Sequence, residues 1–180
     1  MGSGIMKKLR SGLVLIVGLM SGFASAQDFN RLEGWSLGAG YSDTDYSASL
    51  GGFSITEDAG SGLRLETTYN FNGFAALKAS YENNTKDELK GHTLKAGGEL
   101  GYSYVLSDGS FIKPYIEVGY ANHRIEGTTT TQKVNESAAF GGAGIRFSTN
   151  YGFYVDFGAD RSKMDGVNVT QLSATFGMKF

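Results

Sequence analysis

The sequence predicts an all-β fold, an eight-stranded antiparallel up-and-down transmembrane β-barrel, and three observations lead there. The closing stretch Leu172-Ser-Ala-Thr-Phe-Gly-Met-Lys-Phe180 alternates apolar with non-apolar residues and ends on an aromatic. Side chains reverse face at every residue of a strand, so Leu172, Ala174, Phe176, Met178 and Phe180 make one greasy face. The chain opens on an export signal, and between the two ends short and long connections tend to alternate between alternating stretches of this kind.

Lys7, Lys8 and Arg10 precede a short apolar run, Leu13 to Met20, and Ala24-Ser25-Ala26 has the small-x-small form of a cleavage site. That is the layout of a secretory signal peptide. The run is shorter than the roughly 20 apolar residues a helical span requires. Residues 1–26 are therefore expected to be removed, with Met6 as the natural start and 1–5 as an upstream extension, leaving 27–180 as one barrel domain. The absence of Cys excludes disulfides and thiolate chemistry. A net charge of −2 argues against a nucleic-acid partner.

The eight strands are expected at about 32–42, 60–71, 73–83, 91–105, 110–125, 134–148, 151–162 and 167–180. Each carries an apolar parity. The first has Trp35, Leu37, Ala39 and Tyr41; the second Leu63, Leu65, Tyr69 and Phe71; the third Ala75, Leu77, Ala79 and Tyr81. The fourth has Leu94, Ala96, Leu100, Tyr102 and Tyr104; the fifth Ile112, Pro114, Ile116, Val118 and Tyr120. The sixth has Ala139, Ala143, Ile145 and Phe147, and the seventh Phe153, Val155, Phe157 and Ala159. Asn70-Phe-Asn-Gly73, Ser107-Asp-Gly109 and Thr149-Asn-Tyr-Gly152 are compact hairpin turns. Asp43 to Ala59, Asn84 to Lys90 and Glu126 to Lys133 are expected to be longer polar loops at the other end; Lys163 to Gly166 is short and breaks the trend. An even strand count puts both termini at the short-turn, periplasmic end.

The opposite parity collects the charge: Arg64, Glu66, Lys78, Lys95, Glu99, Lys113, Glu117, Arg146, Asp156, Asp160 and Lys179, among Gly, Ser and Thr. Period alone does not say which set faces inward. Aromatics decide for the membrane. Trp35, Phe71, Tyr104, Phe147, Phe153 and Phe180 gather at the short-turn end, and Tyr41, Tyr81 and Tyr120 toward the loop end, as girdles at two bilayer interfaces do. The charged set is then expected to form a self-neutralising network, because eight strands enclose an interior that side chains fill.

Trp35-Ser-Leu-Gly-Ala-Gly-Tyr41 resembles the opening strand of the opacity-type outer-membrane proteins. Lys113-Pro-Tyr-Ile-Glu-Val-Gly-Tyr120 resembles their P-Y-x-x-x-G-Y segment, and Gly141-Gly-Ala-Gly-Ile-Arg-Phe147 their G-A-G-x-R-aromatic strand. The ending Gly177-Met-Lys-Phe180 is similar to the close that barrel-assembly machinery recognises. The transmembrane domain of outer membrane protein A and the attachment-invasion-locus proteins are related groups; with no domain after Phe180, the peptidoglycan anchoring of the former is not expected here. The resemblance implies a multi-pass protein of the Gram-negative outer membrane acting as a surface antigen, adhesin, serum-resistance factor or envelope stabiliser. The partners implied are outer-membrane lipids and lipopolysaccharide, the assembly machinery through the last strand, and a host or envelope protein at the loops. The chain is expected to be a monomer.

No catalytic residue, cofactor or metal is assigned. His92, read as outward, and His123, read as inward, are the only histidines; neither Ser80 nor Ser137 forms a motif with them that fixes a nucleophile, base and orienting acid. Asp43-Thr-Asp45 and Asp87-Glu88 have the oxygen ligands to recruit calcium or bridge lipopolysaccharide, but solvated loop charge is the simpler reading. Thr128 to Thr131 suits an extension of the hairpin above the membrane. Two alternatives stay open: a lipid A-modifying enzyme on the same barrel, and a soluble secreted barrel that carries an apolar ligand.

Overall fold

A computed structural model of the chain describes residues 32–50, 53–86, 89–127, 133–164 and 167–180. The export signal, the extension before Met6, Asp87-Glu88 and Thr128 to Thr131 lie outside the described residues. The strands are β1 (Gly34–Leu50), β2 (Phe53–Asn70), β3 (Ala75–Lys86), β4 (Leu89–Gly101), a two-residue β5 (Tyr104–Val105), β6 (Phe111–Gly127), β7 (Lys133–Ser148), β8 (Phe153–Met164) and β9 (Val167–Lys179). Each long strand pairs antiparallel with its neighbours, β1 with β9 and β4 with β6, so the sheet closes on itself as the alternation predicts. Closure leaves no open edge within the barrel wall, which is what backbone in hydrocarbon requires.

The expected continuous fourth strand is interrupted, and Pro114 is the cause. Gly101 pairs with Tyr115 and Tyr104 with Ile112, so the register is kept across the gap. Pro114 stands opposite Tyr102. It accepts from the Tyr102 N–H at 3.2 Å but has no N–H to return. Ser103, whose N–H points to the other side of the strand as Gly101's does, donates to the Gly73 carbonyl at 3.1 Å. The turns at this end hold Gly109 at φ 79° and Gly152 at φ 88°, a left-handed backbone that glycine adopts without strain.

At the opposite end the structure corrects the expected long loops. Asp43 to Ala59 is mostly ladder: β1 and β2 stay paired as far as Leu50 and Phe53, with a shift in register after Thr44 that leaves Ala59 as an extra residue in β2. β6 and β7 likewise pair out to Glu126 and Lys133. At 16 to 18 residues these four strands exceed the ~9–11 that a tilted transmembrane strand needs. They run past their outer neighbours: β2 pairs with β3 only from Ser61, and β7 with β8 only from Phe140.

Candidate functional site

The two parities face opposite ways. Trp35, Leu37, Leu65, Leu77, Leu94, Ile116, Val118 and Phe157 are exposed on the outside of the cylinder, Val118 to 64%. Of the aromatics at the strand ends, Trp35, Tyr41, Phe71, Tyr81, Tyr104, Tyr120, Phe147, Phe153 and Phe180 are all exposed outward. At the short-turn end Trp35, Tyr69 and Phe71 pack tilted and edge-to-face in sequence at 5.0 and 5.2 Å between centroids, and Phe74, Tyr102 and Tyr104 edge-to-face at 5.3 and 4.6 Å. Phe74 and Tyr151 belong to this belt and were missed because they sit in turns, where parity gives no face.

Arg64, Glu66, Lys78, Lys95, Glu99, Lys113, Glu117, Arg146, Asp156, Asp160 and Lys179 are buried inside the barrel. They lie in layers. Nearest the short turns, Lys113 Nζ is 2.7 Å from Glu99. Arg146 holds Glu99 through two N–H donors at 3.3 and 2.9 Å and donates from Nε to Asp156 at 2.8 Å. Tyr115 donates its hydroxyl to Asp156 at 2.6 Å, and Lys78 reaches Tyr115 at 3.0 Å and Glu117 at 3.1 Å. Above them Arg64 donates to Glu66 at 2.9 Å and to Glu82, and Lys95 meets Asp160 at 2.6 Å.

Glu82 is the member that sequence reasoning missed. It faces inward at the upper end of β3, fully buried, between Arg64 and Lys95. With it, the buried cations Arg64, Lys78, Lys95, Lys113, Arg146 and Lys179 are matched in number by Glu66, Glu82, Glu99, Glu117, Asp156 and Asp160. Tyr115 and Tyr154 also point inward, and the Arg146 guanidinium lies 5.3 and 5.4 Å from their ring centres. The parity signal was present for both: each stands two residues from a buried charge.

Toward the hairpin end the lining becomes neutral. Gln171 donates to Glu82 at 2.6 Å and to Thr44 at 2.8 Å; Asn84 donates to Thr44 at 2.5 Å and accepts from Ser42 at 2.9 Å. His123 is buried with Thr93 and Ser162 hydroxyls each 3.1 Å from its two nitrogens. Beyond these, Ala138, Met164 and Val169 pack together with Tyr46 into an apolar cluster. Between Arg64, Lys78, Lys95 and Glu117 a cavity of about 10 Å³ is left, near the threshold of roughly 10–15 Å³ for one water.

His123 thus has a hydroxyl, not a carboxylate, on each nitrogen. His92 faces outward with Nδ1 2.8 Å from the Tyr81 hydroxyl, and Ser137 accepts from Asn122 at 3.0 Å. Asp43 and Asp45 are exposed on the outside of β1, and among the described residues no group of three His, Cys, Asp or Glu is arranged to hold a metal ion.

The chain matches the model of the outer membrane protein β-barrel domain over residues 13–180. A comparison with curated protein sequences gives no match. Among solved structures, Ail, the attachment invasion locus protein of Yersinia pestis, is 19% identical with a TM-score of 0.54, over 82% of this chain and 99% of that one. Neisserial surface protein A is 19% identical with a TM-score of 0.59, over 81% and 97%. The N-terminal β-barrel domain of Pseudomonas aeruginosa OprF is 16% identical with a TM-score of 0.55, over 79% and 97%. At these identities the likeness is one of fold. With the family model spanning nearly the whole chain and the apolar face turned outward, the protein belongs to the outer membrane protein β-barrel family and is a protein of the bacterial outer membrane.

Proposed function

We propose that this is a closed, non-enzymatic barrel whose work is done by the hairpins it holds at the cell surface, in envelope stability or in contact with a host or neighbouring surface. The observation that supports the reading is the set of charged side chains buried inside the barrel. Among the described residues, matched buried charges, the Thr44–Asn84–Gln171 layer and the Met164–Val169 cluster line the interior, and the cavity between Arg64, Lys78, Lys95 and Glu117 is about 10 Å³. A solute path would need a continuous wet channel, so function falls to the outside. There, β1–β2 and β6–β7 project as ladders, and among the described residues no neighbouring strand pairs with the second backbone edge of 53–60 or of 133–139. Such edges suit pairing with an extended partner segment. Ail has been solved in complex with the heparin analogue sucrose octasulfate, a precedent on this fold for surface ligands. Monomeric insertion through the last strand by the assembly machinery belongs to the same reading.

Reconstituted protein should give no sugar-driven liposome swelling and no steady conductance in planar bilayers. Cells bearing hairpins shortened at 46–57 should keep a heat-modifiable barrel but lose surface attachment or serum resistance. Open channels in the first assay would overturn the reading, as would an altered lipid A acyl pattern on expression, which would favour the enzymatic alternative.

A further inference from the structure

We propose that two copies of the chain pair side by side in one membrane through the outer wall of β1, β9 and β8, with Asp43 and Asp45 of each copy facing the partner's Arg161 and Lys163. The inference goes beyond the reading above, which concerns what the hairpins meet outside the membrane; chains inserted singly would pair afterwards.

The ladder registers fix where these four residues stand. Asp45, Thr170 and Arg161 share one row across the three strands. Asp43, Leu172 and Ala159 form the outward row below, and Ser47, Asn168 and Lys163 the one above. All four charged side chains are exposed on the outside of the wall. The row that leaves β1 at Ser36 and is followed round the wall by way of β2 returns to β1 at Tyr46, nearer the hairpin end. Such a stagger goes with strands tilted by roughly 35–45°. Rows therefore fall from β1 through β9 to β8, and a climb of two residues along β8 offsets most of that fall. With a rise of ~3.3 Å per residue and strands ~4.8 Å apart, Lys163 stands level with Asp45, and Arg161 with Asp43, to within about 2 Å. The acids lie on the β1 side of the patch and the bases about 11 Å away toward β8. With β9 between them, they form no ion pair within the chain among the described residues.

Such a patch is complementary to itself. A two-fold axis along the membrane normal, passing in front of Thr170, keeps every height and exchanges left for right. It sets Asp43 opposite the partner's Arg161 and Asp45 opposite the partner's Lys163, and each pairing occurs twice, as an isologous interface requires. Exposed ion pairs are individually weak, so the walls beneath must also fit. The row through Asp43 and Leu172 continues to Ala159 and Ala143, and Gly141 stands beside Arg161. These small residues are exposed in the wall below the charges, where they let two cylinders approach closely. Leu172 and Phe157, exposed beside them, supply the apolar contact.

The chain has no cysteine, so a Thr170→Cys variant, expressed in the outer membrane of intact cells and treated with a short bis-maleimide, reads the contact directly. A residue beside a two-fold axis faces its own copy, and a covalent dimer is expected. Asn122→Cys, elsewhere on the wall, should stay monomeric. In the Thr170→Cys background, D43K/D45K and R161D/K163D should each lower the dimer about fivefold by setting like charges face to face, and the two sets combined should restore it. Equal cross-linking of Thr170→Cys and Asn122→Cys marks random collision and overturns the proposal. An undiminished dimer in either reversed variant, or no recovery in the combined one, overturns it as well. Loss in R161D/K163D with D43K/D45K unaffected would mean that the bases meet lipid phosphate instead of a second copy. Every variant is first shown to be heat-modifiable on gels, so that a lost dimer is not a lost fold.

Discussion

Lys95 of β4 and Asp160 of β8 meet inside the barrel, Nζ lying 2.6 and 2.7 Å from the two carboxylate oxygens, although β6 and β7 stand between their strands. Such a contact ties together parts of the wall that share no ladder. Removing one partner leaves the other charged in a site with little water, at a cost of roughly 3–5 kcal/mol. Asp160→Asn should lie toward the low end, because Lys95 keeps Glu82 at 3.5 Å. Lys95→Met should cost more, and Lys95→Met with Asp160→Leu should cost less than the sum of the single changes. Equilibrium unfolding by urea in lipid bilayers measures all three, and additivity would show that the pair is not coupled.

The wall gives a second prediction. Val118 is exposed on the outer face between the aromatic belts, while Asn122, on the same strand, sits at the edge where polar side chains begin. An arginine at the bilayer midplane costs about 2–4 kcal/mol and near the interface about 0–1. Val118→Arg should therefore destabilise strongly and Asn122→Arg weakly in the same unfolding assay. Similar losses at both positions would mean that this face does not lie against lipid.

The fold was legible because hydrocarbon outside and a narrow interior impose a strict two-residue period. Wherever that contrast operates, as from Leu63 to Tyr69 or Ile112 to Tyr120, the strand and its face can be read directly. The contrast fades where both faces of a strand are polar. Asp43 to Ala59 and Glu126 to Lys133 read as loops for that reason, yet their described residues stay paired as far as Leu50 with Phe53 and Glu126 with Lys133 through backbone hydrogen bonds, which leave no trace in hydropathy. Glu82 lies inside the strand expected at 73–83, two residues beyond the inward Ser80, but it opens the run Glu82-Asn-Asn-Thr-Lys86, where both faces are polar and the parity contrast is lost. Which buried acid meets which base depends on strand register around the cylinder. The Lys95–Asp160 pair, 65 residues apart, could not be chosen over other pairings from sequence.

Pro114 leads to a third prediction. Its ring removes the one N–H that would answer the Tyr102 carbonyl, and β4 is broken there. Pro114→Ala supplies the donor at a position whose register is already correct. The new amide should be protected from hydrogen exchange, and the ladder should run unbroken from Leu89 to Val105, with a gain of about 0.5–1.5 kcal/mol for one added bond. A rapidly exchanging amide at 114 would show that the missing N–H of the proline is not what breaks β4.

The fourth prediction concerns room inside the barrel. Tyr115 reaches over β7 to place its hydroxyl on Asp156, and the space it uses lies above Gly144: a Cβ there would run into the Tyr115 ring carbon and hydroxyl and the Phe157 carbonyl. The neighbours cannot give way easily, since the hydroxyl is held by Asp156 and Lys78 and the carbonyl belongs to the wall. Gly144→Ala should therefore cost about 1–3 kcal/mol, the usual penalty for overpacking. Tyr115→Phe removes the hydroxyl and with it part of the clash, but it also leaves Asp156 and Lys78 each short of a partner, so alone it should destabilise as well. In the double variant the two losses should be less than additive, because the same hydroxyl is the obstacle in one and the missing donor in the other. Full additivity in the unfolding assay would mean that the close approach of Gly144 and Tyr115 does not constrain the interior.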